Sequence, residues 1–182
     1  MKVTKTPFEG LLIIEPDVFL DKRGFFYEAY HEKRYQESGI AMKFIQDNQS
    51  SSGKNVIRGL HFQNFPHAQT KLVRIFFGTI LDVVVDLRKD QPTFKKAFVL
   101  ELSAEKKLQL LIPKGFAHGF SVLSDKAEIL YKCDEYYHPE SCGGIYYNDP
   151  TLNIDWKINQ QDALISDNDR KLPPLSQASF SF

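Results

Sequence analysis

The sequence predicts an all-β fold, an antiparallel sandwich or barrel with a few short helices. Short apolar runs recur along the 182 residues, and clusters of Gly, Pro, Asn and Asp separate most of them, as in strands joined by turns. The chain also contains 15 Phe and 8 Tyr, aromatic types that favour strands. No linker and no internal repeat interrupts this pattern, so we expect a single domain over residues 1–182.

The predicted elements follow the apolar runs in chain order. These runs are residues 11–14, 25–30, 43–46, 56–62, 72–77, 80–86, 97–102, 108–112, 116–123, 129–131 and 145–147. Only residues 31–38 are typical of a helix of any length, and Gly39 would end it. A second short helix is indicated near residues 159–164, and the tail over 167–182 has an irregular pattern.

Charge and composition exclude several classes of protein. Lysine plus arginine equals aspartate plus glutamate at 23 each, which gives no electrostatic reason to expect nucleic acid or an anionic membrane as partner. No run approaches the roughly 18 apolar residues of a membrane span, and the first residues have no signal-peptide pattern. Cys133 and Cys142 have neither metal-ligand spacing nor a disulfide framework. We therefore expect a reduced, cytoplasmic protein.

Residues 55–71 hold the first candidate chemistry, on two apolar runs joined by a polar turn. Arg58 and His61 lie an odd number of residues apart, so an unbroken strand would place them on opposite faces. A bulge near Gly59 would bring both to one cavity, because glycine tolerates the backbone angles of a bulge. An imidazole base near the ammonium of Lys71 suits proton abstraction next to a carbonyl. A strand-end histidine beside two surface cations fits the same residues, so this segment leaves both interpretations open.

A second histidine lies in the segment 112–120. Pro113 and Gly115 indicate a tight turn, after which His118 enters the next predicted strand between an alanine and a glycine. Such small neighbours leave room for a ligand or another chain segment to approach. A further apolar run ends at Tyr131, and a phenol that shares a pocket with a histidine base would make a donor–acceptor couple.

These motifs together resemble a known family. They include Arg-Gly-Leu-His-Phe-Gln at 58–63 and Pro-Lys-Gly-Phe-Ala-His-Gly-Phe at 113–120. The other matching segments are residues 21–28, 46–50, 56–57, 71–74, 82–88, 92–94 and 131–132. In this order and at this spacing they resemble the dTDP-4-dehydrorhamnose 3,5-epimerases, nucleotide-sugar epimerases built on a cupin jelly roll. The resemblance implies an antiparallel jelly-roll (cupin-like) β-sandwich or barrel.

The resemblance also implies a reaction and its catalytic residues. The family's substrate is a dTDP-linked 4-keto-6-deoxyhexose, whose carbonyl acidifies the hydrogens on C3 and C5. By this resemblance His61 is the base, Asp169 its carboxylate partner, Lys71 the stabiliser of the enolate oxygen and Tyr131 the acid. Asp167 is near enough in sequence to leave the choice of partner open.

Substrate contacts carry over in the same way. The positions implied are Arg23, Glu28, Gln46, Asn48, Arg58, Lys71, His118, Tyr137 and Asn168. Tyr137 matches the position whose ring stacks on the thymine. In the family, the segment that holds Arg23 reaches into the neighbouring subunit, which implies a homodimer. No cofactor and no metal are implied.

Two positions of the predicted site depart from the family pattern. Cys142 stands where the family often has an acidic residue, and a neutral thiol cannot replace the hydrogen bonds of a carboxylate, although Glu140 is close enough in sequence to substitute. Asn168 stands where a lysine usually precedes the aspartate, and Arg170 is a candidate replacement for that charge.

Three alternatives stay open at this point. Close relatives invert only C3 and keep the same histidine and tyrosine. A metal-dependent cupin oxygenase would need a His-x-His pair, whereas His61 is followed at that spacing by Gln63, which leaves fewer than three protein ligands. A non-catalytic sugar-binding jelly roll would not need a base, a cation and an acid together.

Overall fold

The computed structural model describes residues 1–182 and contains thirteen β-strands and two short α-helices. The strands are β1 (Lys2–Lys5), β2 (Leu12–Glu15), β3 (Val18–Asp21), β4 (Gly24–Tyr27), β5 (Gln46–Gly53), β6 (Ile57–Gln63), β7 (Lys71–Phe77), β8 (Thr79–Asp86), β9 (Ala97–Ser103), β10 (Gln109–Ile112), β11 (Phe116–Val122), β12 (Lys126–Cys133) and β13 (Cys142–Gly144). The helices are α1 (Glu32–Glu37) and α2 (Asp167–Arg170).

Most strands belong to two antiparallel sheets. The larger sheet has the order β1-β2-β10-β7-β12-β5, and the smaller has the order β13-β6-β11-β8-β9. Strands that are neighbours in a sheet are mostly distant in the chain, because from β5 to β13 the chain passes from one sheet to the other at every step except between β8 and β9. β3 and β4 form a separate two-stranded hairpin. The antiparallel all-β sandwich expected from the sequence is confirmed.

The main core lies between the two sheets. Ile75 and Ile129 from the larger sheet pack in one buried cluster with Val84, Phe116 and Phe120 from the smaller sheet. Each of these apolar side chains contributes about 1.5–3 kcal/mol on full burial. The alternation of strand side chains therefore decides which residues reach the gap between the sheets, and polar residues in the same alternation reach it too.

The outer face of the smaller sheet is also covered. The chain after β13 folds back over it, so that Tyr147 and Trp156 pack in one buried cluster with Leu60 and Val83. Ser121 in β11 donates its hydroxyl to the carbonyl of Trp156 at 2.7 Å. Because both faces of the smaller sheet are buried, β8 and β11 are nearly continuous apolar sequences.

The strand predictions differ from the structure at three places. The run at 43–46 precedes β5, whose sequence Gln-Asp-Asn-Gln-Ser-Ser-Ser-Gly is polar and carries no hydrophobic alternation. The run at 145–147 follows β13 and is buried without pairing as a strand. β1 and β3 were not predicted, because both are exposed four-residue strands.

The helix predictions are partly confirmed. α1 lies within residues 31–38, with the His31 side chain accepting from the backbone N–H of Arg34 and Gly39 following in a left-handed conformation. The second predicted helix is a single 3-10 turn, Gln160–Asp162. The tail contains α2, a helical turn that the sequence pattern did not predict. No helix has the length and apolar content needed to cross a membrane.

Candidate active site

A cavity of about 800 Å³ opens between the two sheets. Side chains from β6 and β11 of the smaller sheet, β7 and β12 of the larger sheet, and the chain around α2 line it. Eight of the predicted site residues lie on its wall: Arg58, His61, Lys71, His118, Tyr131, Tyr137, Asn168 and Asp169. The structure therefore brings together residues that are up to 111 positions apart, from 58 to 169.

A bulge in β6 turns Arg58 and His61 towards the same cavity. His61 pairs with His118 across the sheet, whereas Arg58 pairs with Phe120, so β6 has one residue more than β11 over this stretch. Gly59 lies at the bulge with φ +118°, and a Cβ there would be 2.6 Å from the Cα of the facing Gly119. The small residues beside His118 were expected to leave room for a ligand or for another chain segment. In the structure they leave room for the other strand, β6.

His61 forms a hydrogen-bonded pair with Asp169. Its Nε2 lies 2.7 Å from Oδ1 of the carboxylate, and 47% of its side chain is exposed. A carboxylate accepts the proton on Nε2, so the neutral imidazole keeps Nδ1 as its free basic nitrogen. The arrangement gives a base with a fixed tautomer and access to the cavity.

The local fold at α2 fixes the position of Asp169. The side chain of Ser166 caps this short helix by accepting from the backbone N–H of Asp169 at 3.1 Å. The backbone N–H of Gly59 donates to the second carboxylate oxygen at 3.2 Å. Asp167, the alternative partner considered from the sequence, is exposed, so Asp169 is the aspartate that contacts His61.

These contacts also set the charge of Asp169. Burial by itself raises its pKa, but the hydrogen bond and positive field of His61, with the donors from Gly59 and Ser166, outweigh burial and leave the pKa below its usual value. The carboxylate is therefore ionised at neutral pH.

His118 forms a second pair of the same type with Asp82 of β8. The distance from its Nε2 to Oδ2 is 2.9 Å, and only 10% of the His118 side chain is exposed. Asp82 is fully buried, and its Oδ1 has no hydrogen-bond partner within the chain. Sequence reasoning missed Asp82, because one aspartate inside a continuous apolar run gives no periodic signal.

Lys71 and Tyr131 approach the cavity from the larger sheet. The ammonium of Lys71 lies 5.8 Å from the centre of the Tyr131 ring. Burial lowers the pKa of Lys71, against the opposing influence of Cys133, Cys142 and Asp82. Lys71 is in no ion pair of the chain, and Asp82 is the only carboxylate that affects its pKa, so its charge is available to a bound anion.

The phenol of Tyr131 stays protonated over a wide pH range. Burial raises its pKa, Cys133 adds to the rise, and Arg58 opposes it. Tyr131 is in β12 of the larger sheet and His61 is in β6 of the smaller sheet. A donor and an acceptor of protons are thus placed on opposite walls.

Tyr137 lies at the rim with its ring exposed. Its backbone N–H donates to Oε1 of Gln46 at 3.0 Å, and Gln46 in turn donates to Asn48 at 3.1 Å. A side-chain hydrogen bond with Cys142 raises the pKa of Tyr137. Gln46 and Asn48 thus hold the backbone of Tyr137 at the rim, and neither of them is on the cavity wall.

The substitutes suggested for the two departures lie elsewhere. Glu140 is outside the cavity and pairs with His138 Nδ1 at 2.9 Å, whereas Cys142 itself lines the wall. Arg170 donates to the carbonyl of Ile165 at 3.3 Å and is not on the wall either.

Arg23 and Glu28 lie outside this cavity. Arg23 is at the exposed turn of the β3–β4 hairpin and pairs with Asp21, and Glu28 pairs with Arg34 at 3.0 Å. Neither residue lines the cavity of its own chain. Sequence reasoning also missed Gln63 and Gln69, which are on the wall.

Comparison with known proteins identifies the family. The family model described as dTDP-4-dehydrorhamnose 3,5-epimerase matches residues 5–177. The chain belongs to this family. A curated member from Salmonella typhimurium is 50% identical over 179 residues, which cover 98% of this chain and 97% of the relative.

Solved structures agree with the family. The epimerase of Elizabethkingia anophelis has a TM-score of 0.92 and 50% identity, with 97% of each chain covered. The enzyme of Legionella pneumophila, determined in complex with dTDP-4-keto-L-rhamnose, has a TM-score of 0.92 and 47% identity, covering 97% of this chain and 93% of that one. The cupin-like jelly roll and the epimerase class of enzyme, an isomerase, are confirmed.

Proposed function

We propose that this epimerase inverts C3 and C5 of a dTDP-linked 4-keto-6-deoxy sugar, as a 3,5-epimerase of dTDP-L-rhamnose biosynthesis that needs no cofactor. The observation that carries the proposal is the cavity in which the His61–Asp169 pair, an unpaired Lys71 and the protonated Tyr131 converge. A base, a fixed cation and an acid are the three groups that enolisation and reprotonation require.

In the proposed first step, Nδ1 of His61 removes the proton from the carbon next to the C4 carbonyl. The electron pair of the broken C–H bond delocalises onto the carbonyl oxygen, and the ionised Asp169 stabilises the imidazolium that forms. Lys71 stabilises the enolate oxygen, an effect of about 3–4 kcal/mol by analogy with single oxyanion donors. No electron leaves the sugar, so the step balances without a redox partner.

In the second step, the phenol of Tyr131 returns a proton to the carbon from the opposite face. The pKa of Tyr131 is raised by burial, which keeps the phenol protonated until the enolate, a stronger base, is present. The new C–H bond has the inverted configuration. Solvent then restores the proton of Tyr131 and removes the one on His61.

Nucleotide binding is proposed for the rim. Arg58 is exposed at the wall and provides planar donors for the diphosphate, with Asn168 at the helical turn on the same wall. The exposed ring of Tyr137 is available to stack on the thymine. His118, held by Asp82, and the Gln46–Asn48 pair complete the proposed contacts.

We also propose that the chain acts as a cytoplasmic homodimer, to whose neighbouring site the β3–β4 hairpin contributes Arg23 and Glu28. This hairpin exposes Phe19, Leu20 and Phe26 at 64%, 79% and 71%, an apolar surface with no cover in its own chain. Dimerisation would bury this surface and would bring the guanidinium of Arg23 to the diphosphate bound in the neighbouring chain's cavity. The two unpaired cysteines suit a reducing compartment.

Proton NMR of dTDP-4-keto-6-deoxyglucose incubated with the purified enzyme in D₂O tests the proposal. We expect deuterium at both C3 and C5. Deuterium at C3 alone would instead indicate a mono-epimerase of another deoxysugar, and no exchange at either carbon would contradict the proposed substrate.

A further inference from the structure

Outside the catalytic cavity, two histidines and a glutamate come together. The potential ligand atoms of His67, Glu135 and His138 all lie within 4.8 Å of one another, and each side chain is partly buried. We propose that these three residues form a binding site for a divalent transition-metal ion, with Zn²⁺ as the expected occupant. The site joins the loop after β6 to the loop after β12 and takes no part in the proton transfers proposed above.

The donor set suits such an ion. Zn²⁺ binds imidazole nitrogen and carboxylate oxygen at about 2.0–2.2 Å, and a two-histidine, one-glutamate set leaves the fourth tetrahedral position to water. Two imidazoles and one carboxylate disfavour Mg²⁺ and Ca²⁺, which prefer oxygen ligands.

The two imidazoles are in direct contact. Their rings stack with centroids 3.5 Å apart and planes inclined by 11°. The lone pair of an imidazole nitrogen lies in the plane of its ring, so two parallel stacked rings do not point at one ion. Binding therefore requires the rings to turn out of the stack, starting from ligand atoms that already lie within 4.8 Å of one another.

His138 also has the outer contact that metal-bound histidines usually have. Its Nδ1 lies 2.9 Å from Oε1 of Glu140, which accepts the Nδ1 proton and leaves Nε2 free to ligate. Glu140, which does not replace the acidic residue missing at position 142, has a role here as an orienting carboxylate.

The backbone around the three ligands is held by partly buried hydrogen bonds. The amide of Gln63 donates to the carbonyl of His67 at 2.6 Å and accepts from the backbone N–H of His138 at 2.8 Å. Gln69 donates to the carbonyl of Glu135 at 2.9 Å. Because both loops are fixed by these bonds, little ordering is required of the ligands when an ion binds.

The position of the site suggests its effect. His138 directly follows Tyr137, the residue proposed to stack on the nucleotide base, so an ion bound to His138 would restrict the rim at that point. This part rests on the proposed function: we expect metal removal to raise the Kd for dTDP without changing kcat. The ion binding itself does not depend on it.

Calorimetric titration of the metal-free, full-length protein with Zn²⁺ tests the site directly. We expect one equivalent to bind, and binding to weaken at least tenfold in His67→Asn and in Glu135→Gln. Glu140→Gln should weaken binding by about tenfold, the usual effect of removing an outer-shell carboxylate. His31→Asn is the matched control: it removes an exposed imidazole elsewhere, its amide can still cap α1, and binding should not change.

Two further variants separate this site from the catalytic cavity. Cys142→Ser and His61→Asn should retain the bound equivalent, and Co²⁺ substitution should give no sulfur-to-metal absorption band. The proposal would be overturned if either of these variants lost the bound Zn²⁺ or if Co²⁺ gave a sulfur-to-metal band. It would also be overturned if His67→Asn and Glu135→Gln both bound one equivalent of Zn²⁺ as tightly as the wild type. Failure of the wild-type protein to bind Zn²⁺ would overturn it too, whereas retained epimerase activity in the same sample would leave the proposed function intact.

Discussion

The two histidine–aspartate pairs face each other across the β6–β11 strand pairing, yet their surroundings differ. His61 has 47% of its side chain exposed, whereas only 10% of His118 is exposed. Asp169 accepts hydrogen bonds at both oxygens, from His61 and from Gly59, whereas Asp82 has one oxygen with no partner. His61 is accessible and its carboxylate is hydrogen-bonded at both oxygens, so this imidazole can exchange protons with a ligand. The buried imidazole of His118 is suited to keeping one hydrogen bond in a fixed position.

The largest effect is expected from removing the accessible imidazole. His61→Ala should abolish deuterium exchange at both C3 and C5, a loss of up to about 10⁴-fold, because the other histidine on the wall, His118, has only 10% of its side chain exposed. Exchange in D₂O is the measurement, with His31→Ala as an exposed control. Full activity in His61→Ala would remove this histidine from the mechanism.

Replacing the carboxylate should be almost as severe. Asp169→Asn should lower kcat by roughly 10³–10⁴-fold, since an amide can favour the wrong imidazole tautomer and does not stabilise the imidazolium. Asp167→Asn, two residues away and exposed, is the matched control and should keep wild-type kcat. Equal losses in the two variants would mean that the effect comes from the helical turn rather than from the pair.

Tyr131→Phe should separate proton exchange from inversion. Loss of the phenol should leave exchange at C3, because His61 still removes the proton and can return it on the same face. Productive inversion, including that at C5, should fall by about 10²-fold, the lower range for a general acid. Product analysis by NMR would measure both. Equal retention of the two inversions would exclude Tyr131 as the acid.

The buried pair should give a smaller and different effect. Asp82→Asn removes the charge that holds His118 and lies near Lys71, so we expect about a tenfold loss of kcat/KM, close to the net strength of one charged hydrogen bond. The loss should appear mainly in KM, because the base and the acid are untouched. Asp125→Asn, exposed on the surface, is the control, and a loss confined to kcat would assign His118 a part in the proton transfers.

The smallest effect is a shift in pH dependence. Burial lowers the pKa of Lys71 and raises that of Tyr131, so loss of the lysine charge moves to lower pH and ionisation of the phenol moves to higher pH. Activity should therefore fall on the alkaline side at a pH below the usual lysine value of 10.5. Lys71→Arg, whose charge persists above pH 12, should move this limb upward. If the alkaline fall in activity stays at the same pH in this variant, the fall comes from ionisation of Tyr131 instead.

Much of the site could be predicted from residues near each other in sequence. The odd spacing of Arg58 and His61 predicts the bulge at Gly59, because only a bulge reconciles that spacing with one shared cavity. Asp169 lies 108 positions from His61, and no local pattern relates the two. Its assignment therefore depended on the family resemblance.

Other features had no signal in the sequence. β5 is a polar edge strand, so hydrophobic alternation cannot reveal it, and its pairing with β12 determines its position. The ligands of the proposed metal site are separated by 68 residues between His67 and Glu135, and the register of several strands brings them together. Arg23 is not on the wall of the cavity in its own chain, and only the three-dimensional structure shows this.

The placement of His61 and Tyr131 in different sheets has a consequence for how specificity could evolve. If His61 removes the proton and Tyr131 returns it, as proposed, a carbon placed between these facing walls is inverted whatever its number in the ring. The choice between one inversion and two then depends on whether the enolised sugar can turn within the cavity. Changes in the lining that restrict this rotation could convert a double epimerase into a single one while the catalytic residues stay the same.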